Sequence, residues 1–357
     1  MKIFTYITRY IAAAALLTVS MLTLSSCDGI IYDDEGDCDV IYRLRFRYDM
    51  NMKFADAFSN EVKSICLYAF DTNGTLVWQT IDAGEHLAAE DYCIELPLPP
   101  GKYSLMAWCG LDNGESFTVP SISEGDKSDG LHCRLSRTYN DKEGAISNND
   151  LNALFHGKLD VELPTDIDGG IYSYTMSLTK DTNVFRIVLQ HLSGKDIDAD
   201  DFTFKIEDEN GWLRHDNSMR DDEPITYHAW DKYSASAGVD VIGGDFNTDG
   251  RAITDVSVAV AELTTNRLFA SETRGPGKKN PMLVIRKAGQ GDLVARIPVI
   301  DYALLVKGNY HRQMDDQEYL DRQDEYNMTL FLDDNNHWLS TTVIINSWRV
   351  VLNPTDL

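Results

Sequence analysis

The chain has 357 residues, with 57 acidic against 32 basic side chains and a formal net charge of −25. Such a charge makes nucleic acid and anionic lipid surfaces poor partners. Hydrophobic residues make up 43% of it, enough for a sizeable core, so disorder is not expected outside loops, and the length fits two domains.

At the amino end Lys2 and Arg9 precede an apolar run over residues 11–24, the layout of a secretory signal peptide. The run is shorter than the roughly 20 apolar residues a spanning helix needs. Leu24-Ser25-Ser26-Cys27 then places an aliphatic and two small residues before a cysteine, the pattern that lipoprotein processing enzymes read. The expectation is removal of residues 1–26, a diacylglycerol on the Cys27 thiol, and acylation of the new amino group, as by palmitate. Three acyl chains, at roughly 0.8 kcal/mol per buried methylene, exceed what stable anchoring requires. Loss of Lys2 and Arg9 leaves a mature charge of −27. Asp28, Asp33, Asp34, Glu35 and Asp37 then make residues 27–41 an acidic, solvated tether.

Five further cysteines are Cys38, Cys66, Cys93, Cys109 and Cys133, an odd number for an exported chain. Cys109 and Cys133 flank a polar stretch and are the candidate disulfide pair. The alternative is that all five are buried thiols acting as small hydrophobes.

The first strand is legible over residues 42–49, where Tyr42, Leu44, Phe46 and Tyr48 alternate with Arg43, Arg45, Arg47 and Asp49. Residues 62–70 and 75–80 are β-prone runs joined at Asp71-Thr72-Asn73-Gly74, a hairpin signal. A strand at 92–96 leads through Pro97, Pro99, Pro100 and Gly101 into an apolar strand at 102–108. Residues 110–150 are rich in Gly, Ser, Asn and Asp without periodicity, which predicts a long surface excursion.

Strands at 171–178 and 184–189 are separated by Thr179-Lys180-Asp181-Thr182-Asn183, expected as an exposed polar link between domains spanning 42–180 and 181–357. The second half repeats short strands at 202–206, 225–230, 252–263, 281–286, 293–299, 326–332 and 341–352. One helix is expected at 315–324, with Tyr319 and Leu320 as its apolar contacts. This pattern predicts an all-β chain of sandwich type.

With these elements placed, four segments acquire a likeness. They are the Pro99-Pro100-Gly101-Lys102-Tyr103 turn with Trp108; Leu154-Phe155-His156-Gly157; Tyr319-Leu320-Asp321-Arg322 with Tyr326-Asn327; and Ile344-Ile345-Asn346-Ser347-Trp348-Arg349. In order and spacing they resemble the FimB/Mfa2 family of fimbrial anchor lipoproteins. The resemblance implies two tandem transthyretin-like β-sandwich domains, lodged by lipid in the outer membrane at the base of a fimbrium. It implies a fimbrial shaft subunit as partner, held by β-strand or surface complementation. In the related shaft subunits a protease removes the first strand, and the groove accepts a strand from a neighbour; the anchor is expected to keep its own and to end the polymer.

No nucleophile elbow, zinc helix, Cys-x-x-Cys or phosphate loop occurs, so no catalysis, cofactor or metal is expected. Asp245-x-Asn247-x-Asp249-Gly250 matches half a calcium loop, but Val256 stands where the closing glutamate belongs, so a hairpin loop is the reading. His132 and His156 are read as packing or turn residues. Asp321, Asp324 and Glu325 around Arg322 are read as a solvated face. The alternative function is surface glycan binding on a platform of Trp78, Trp212, Trp230 and Trp338, against which stands their use as core.

Overall fold

The computed structural model describes residues 40–351 apart from 112–113, 166–169, 239–254, 276, 309–310 and 312. Cys27, Cys38 and the rest of the acidic tether up to residue 39, with the Asp245–Gly250 string, lie outside the described residues, whereas Val40 and Ile41, expected to end the tether, open the first strand.

Strand β1 (Val40–Met50) is followed by a one-turn helix α1 (Phe58–Glu61), then by β2 (Ser64–Phe70) and β3 (Leu76–Ala83). The expected hairpin joins β2 to β3, with Gly74 at a φ of 69° and the Asp71 carboxylate accepting from the amides of Asn73 and Thr75. Next come β4 (Ile94–Glu95), β5 (Gly101–Cys109), β6 (Phe117–Thr118), β7 (His132–Leu135), β8 (Thr138–Asn140), β9 (Gly144–Ser147), β10 (Phe155–Leu163) and β11 (Gly170–Lys180). The later strands are β12 (Thr182–His191), β13 (Phe202–Asp208), β14 (Trp212–Arg214), β15 (Ile225–His228), β16 (Asp231–Gly238), β17 (Asp255–Asn266), β18 (Met282–Lys287) and β19 (Leu293–Pro298). Helices α2 (Val299–Leu305) and α3 (Asp316–Arg322) precede β20 (Glu325–Leu332), β21 (Trp338–Ile345) and β22 (Trp348–Val351).

The fold is all-β, as the alternation predicts. One sheet runs β3-β2-β5-β10-β11-β1-β4 and a second β16-β17-β12-β20-β21-β22. A third runs β19-β18-β13-β15-β9-β8, and a three-stranded piece is β14-β7-β6. The described residues within 42–165 and 173–351 make one compact unit, and an apolar cluster draws Phe70 and Trp108 together with Phe185, Phe204 and Tyr326.

Three expectations need correction. Residues 110–150 are no mere excursion, because β6 to β9 lie in them and bury Phe117, Leu131, Cys133, Leu135 and Ala145. β6 pairs with β7 and β8 with β9, but these short pieces are completed by partners 70 or more residues away, β7 pairing with β14 and β9 running parallel to β15, so no local period announces them. The strand expected over 293–299 ends one residue early, because Pro298 stands at the N-cap of α2 and turns the chain, and the β-branched Val299 is the first residue of that helix, which the pattern does not announce. The link over residues 179–183 is not exposed, for Asp181, Thr182 and Asn183 are all buried. Its polar groups are paired inside: the Asp181 amide donates to Leu154 O at 2.7 Å, and Asn217 Nδ2 donates to Asp181 Oδ1 at 2.8 Å.

The hairpin between β21 and β22 turns on Asn346 and Ser347 at φ 47° and 71°, the left-handed pair a two-residue turn of this hand requires.

Candidate functional site

The alternation in residues 42–49 puts one face of β1 into the core. Tyr42, Leu44, Phe46 and Tyr48 are each at most 6% exposed, while the side chains of Arg45 and Arg47 are exposed and that of Arg43 half-buried. At roughly 1.5–3 kcal/mol for each buried large side chain, this face stabilises the seated strand by about 6–12 kcal/mol against leaving it in water. β1 lies within its sheet, between β11 and the short β4.

Its first half is held by Leu96 N to Tyr42 O at 2.8 Å, by the Arg43–Glu95 ion pair at 3.0 Å and by the Tyr42 hydroxyl donating to Pro164 O at 2.5 Å. Phe46 stacks on Phe58 of α1 at 5.8 Å between centroids, and Tyr48 meets Phe155 edge-on at 5.1 Å.

Its second half runs into a tight loop. Asp56 Oδ1 accepts from the amides of Tyr48 (2.9 Å) and Phe58 (3.0 Å), Asn51 Nδ2 donates to Tyr48 O and Ala55 O, and Ala57 N donates to Tyr48 O. Phe54 sits at φ 52°, a left-handed value that a bulky residue holds only at a cost of about 1–3 kcal/mol. Phe54 is 53% exposed, and the Arg322 guanidinium lies 4.5 Å from the centre of its ring. Arg322 also donates to Asp49 O at 2.9 Å and to Glu318 Oε1 at 2.8 Å.

Of the three carboxylates read as a solvated face, Glu325 is exposed, whereas Asp321 and Asp324 are ion-pairing groups. Asp321 takes Arg267 in a two-pronged pair at 2.8 and 2.6 Å, and Asp324 shares Lys180 with Glu61 at 2.8 and 3.0 Å. Burial draws the Lys180 ammonium down, but Asp324 and Glu61 outweigh it and its pKa rises. Sequence reasoning missed these because the partners lie more than 50 residues away. The one local signal is the Asp315 cap, whose carboxylate accepts from the Glu318 amide at 2.6 Å.

Cys109 and Cys133, the candidate disulfide pair, are free thiols here, both fully buried in apolar surroundings that push their pKa values well up. The packed-thiol alternative describes them. His156 packs edge-on against Trp108 at 4.6 Å and donates to His215 O; burial takes its pKa down to about 3. His132 lies 5.2 Å from Trp212. Trp78, Trp212, Trp230 and Trp338 are all half-buried, and the Trp212 ring is covered by Arg220 at 4.2 Å and Arg134 at 5.1 Å. Among the described residues no group of His, Cys, Asp and Glu is placed to hold a metal ion, and no helix is long and apolar enough to cross a membrane.

Residues 34–354 match the model of a family described as fimbrillin-A associated anchor proteins Mfa1 and Mfa2. A solved structure from Bacteroides thetaiotaomicron, provisionally described as an adhesin, is 32% identical with a TM-score of 0.75, over 90% of this chain and 100% of that one. Another from the same species, provisionally described as polysaccharide-binding, is 27% identical with a TM-score of 0.72, over 89% and 100%. The fimbrial anchor protein Mfa2 from Porphyromonas gingivalis shares the fold at 18% identity, with a TM-score of 0.62 over 88% and 100%. No curated protein matches the chain.

Proposed function

The chain belongs to the family of fimbrillin-A associated anchor proteins Mfa1 and Mfa2, a family of fimbrial structural proteins with a role in adhesion at the cell surface, and from this premise we propose that it holds the base of a fimbrium and ends its polymerisation. Lipid on Cys27 fixes it in the outer membrane, and residues 27–41 tether the folded part. A shaft subunit is its partner, taken by β-strand or surface complementation, in which backbone hydrogen bonds give affinity and alternate side chains give specificity. The division into domains at residues 42–180 and 181–357 is part of the same proposal, since the first sheet ends at Lys180 and the second begins at Thr182.

The observation that carries the reading is the seating of β1. Its arginine side chains reach solvent, yet the bonds beside them belong to a strand whose other face is core. Cleavage at Arg43, Arg45 or Arg47 would sever the fold from Cys27, so retention of β1 and anchoring are one requirement. Surface glycan binding is the alternative; against it stand the half-burial of all four tryptophans and the two arginines over the Trp212 ring, and a glycan titration followed by tryptophan fluorescence tests it.

Deleting the protein should give fimbriae that are longer and shed into the medium, measured by electron microscopy and by fimbrillin in the supernatant. Fimbriae of normal length and attachment in the deletion strain would overturn the proposal.

A further inference from the structure

Three features converge where β1 ends. The backbone carbonyl of Asp49 is held by a guanidinium from α3, 273 residues further along the chain. That guanidinium rests on the ring of Phe54, an exposed aromatic on a left-handed backbone. Its own orientation is fixed by Glu318 one helical turn before it, and the Arg322 side chain is only 13% exposed. An exposed phenylalanine in a strained conformation persists only where its surroundings over-determine it. Here they do so through Arg322 on one side and the Asp56 and Asn51 hydrogen bonds on the other.

We propose that Arg322 is a positioning residue that clasps the carboxyl-terminal end of β1, and that this clasp denies proteases the Arg47–Tyr48 bond. The inference rests on the reading of β1 as a retained strand. A protease takes its substrate as a locally extended, unpaired segment of several residues around the cut. For the bond after Arg47 that segment includes Tyr48, whose amide donates to Asp56 Oδ1, and Asp49, whose carbonyl accepts from Arg322. For the bond after Arg43 it ends short of Asp49 and is held by Glu95 and Leu96 instead. Exposure of the arginine side chains does not distinguish the two, because the Arg47 side chain, at 49% exposed, is more open than that of Arg43, at 35%. The clasp therefore makes the bond with the more accessible arginine the better protected one, and its loss should act on that bond selectively.

The test is limited trypsinolysis of the detergent-solubilised full chain, with peptide mass spectrometry timing each cut, in wild type, Arg322→Ala and Phe54→Ala. Arg322→Ala should raise the cleavage rate after Arg47 at least roughly tenfold, as expected for loss of a charge-assisted hydrogen bond, and leave the rate after Arg43 within about twofold. Phe54→Ala removes the ring under the guanidinium without touching α3, and should move the Arg47 site in the same direction by a smaller factor. Arg322→Lys keeps the charge but not the planar contact and should fall between alanine and wild type. Equal acceleration at Arg43 and Arg47 would mean a general loss of stability and overturn the clasp, as would an unchanged rate after Arg47 in both alanine variants. Either result leaves the anchoring proposal standing, since that is judged by the fimbriae of the deletion strain.

Discussion

Asp181 is the residue on which the chain passes from the first sheet to the second, and its burial makes stability depend on pH in a direction that can be worked out. Burial pushes its carboxyl up from 3.8 to about 7; Arg267, at 3.7 Å, and the Asn217 amide pull the other way but do not compensate, and Oδ2 has no partner. The folded-state pKa is thus above the unfolded one. The protonated side chain's contribution is fully present below about pH 3.8 and is lost as pH rises through about 7. At roughly 1.4 kcal/mol per pH unit, wild type should lose about 3 kcal/mol between pH 5 and pH 8 through this group alone. Asp181→Asn keeps an acceptor for Asn217 Nδ2 and cannot ionise. Urea unfolding of both chains at pH 5, 6, 7 and 8 isolates the term, because every other titration is shared. Wild-type stability relative to the variant should fall across that range, with most of the fall below pH 7. A difference independent of pH, or one that favours wild type more as pH rises, would refute the argument.

A Cβ on Gly157 would stand 2.5 Å from Met176 Sδ and 2.7 Å from Leu178 Cδ2. Gly157→Ala should cost about 1–3 kcal/mol in overpacking, against roughly 0.5–1 kcal/mol gained from strand propensity, for a net loss in urea unfolding; a variant as stable as wild type would count against that packing. Cys27→Ala should leave the protein unlipidated and in the soluble fraction. Its recovery in membranes after a carbonate wash would show an attachment other than the lipid.

The strands were legible where burial alternates along a single element. Tyr42 to Tyr48 state their own buried face, and Asp71 to Gly74 state their own turn, so β1, β2 and β3 follow from the residues alone. What could not be read was anything supplied by a distant partner. β6 to β9 are two to four residues long and are completed by strands near residues 212–228, so their polar composition looks like loop. The link at Asp181 has the composition of a surface turn, and distant partners such as Leu154 O, the Asn217 amide and Arg267 make its burial tolerable. The same holds for the site. The arginines of β1 and their exposure follow from the alternation, whereas the guanidinium that closes the strand's end comes from a helix whose sequence, Asp-Gln-Glu-Tyr-Leu-Asp-Arg, announces only an amphipathic turn. Cys109 and Cys133 show the converse error, since flanking a polar stretch says nothing about whether two thiols meet.

The central claim is that the membrane-bound protein keeps β1 because its anchor lies upstream of it. Intact-mass and amino-terminal peptide analysis of the chain extracted from outer membranes tests this directly. The account predicts a mature chain that begins at triacylated Cys27 and retains Arg43, Arg45 and Arg47. A mature chain beginning at Leu44, Phe46 or Tyr48 would contradict it.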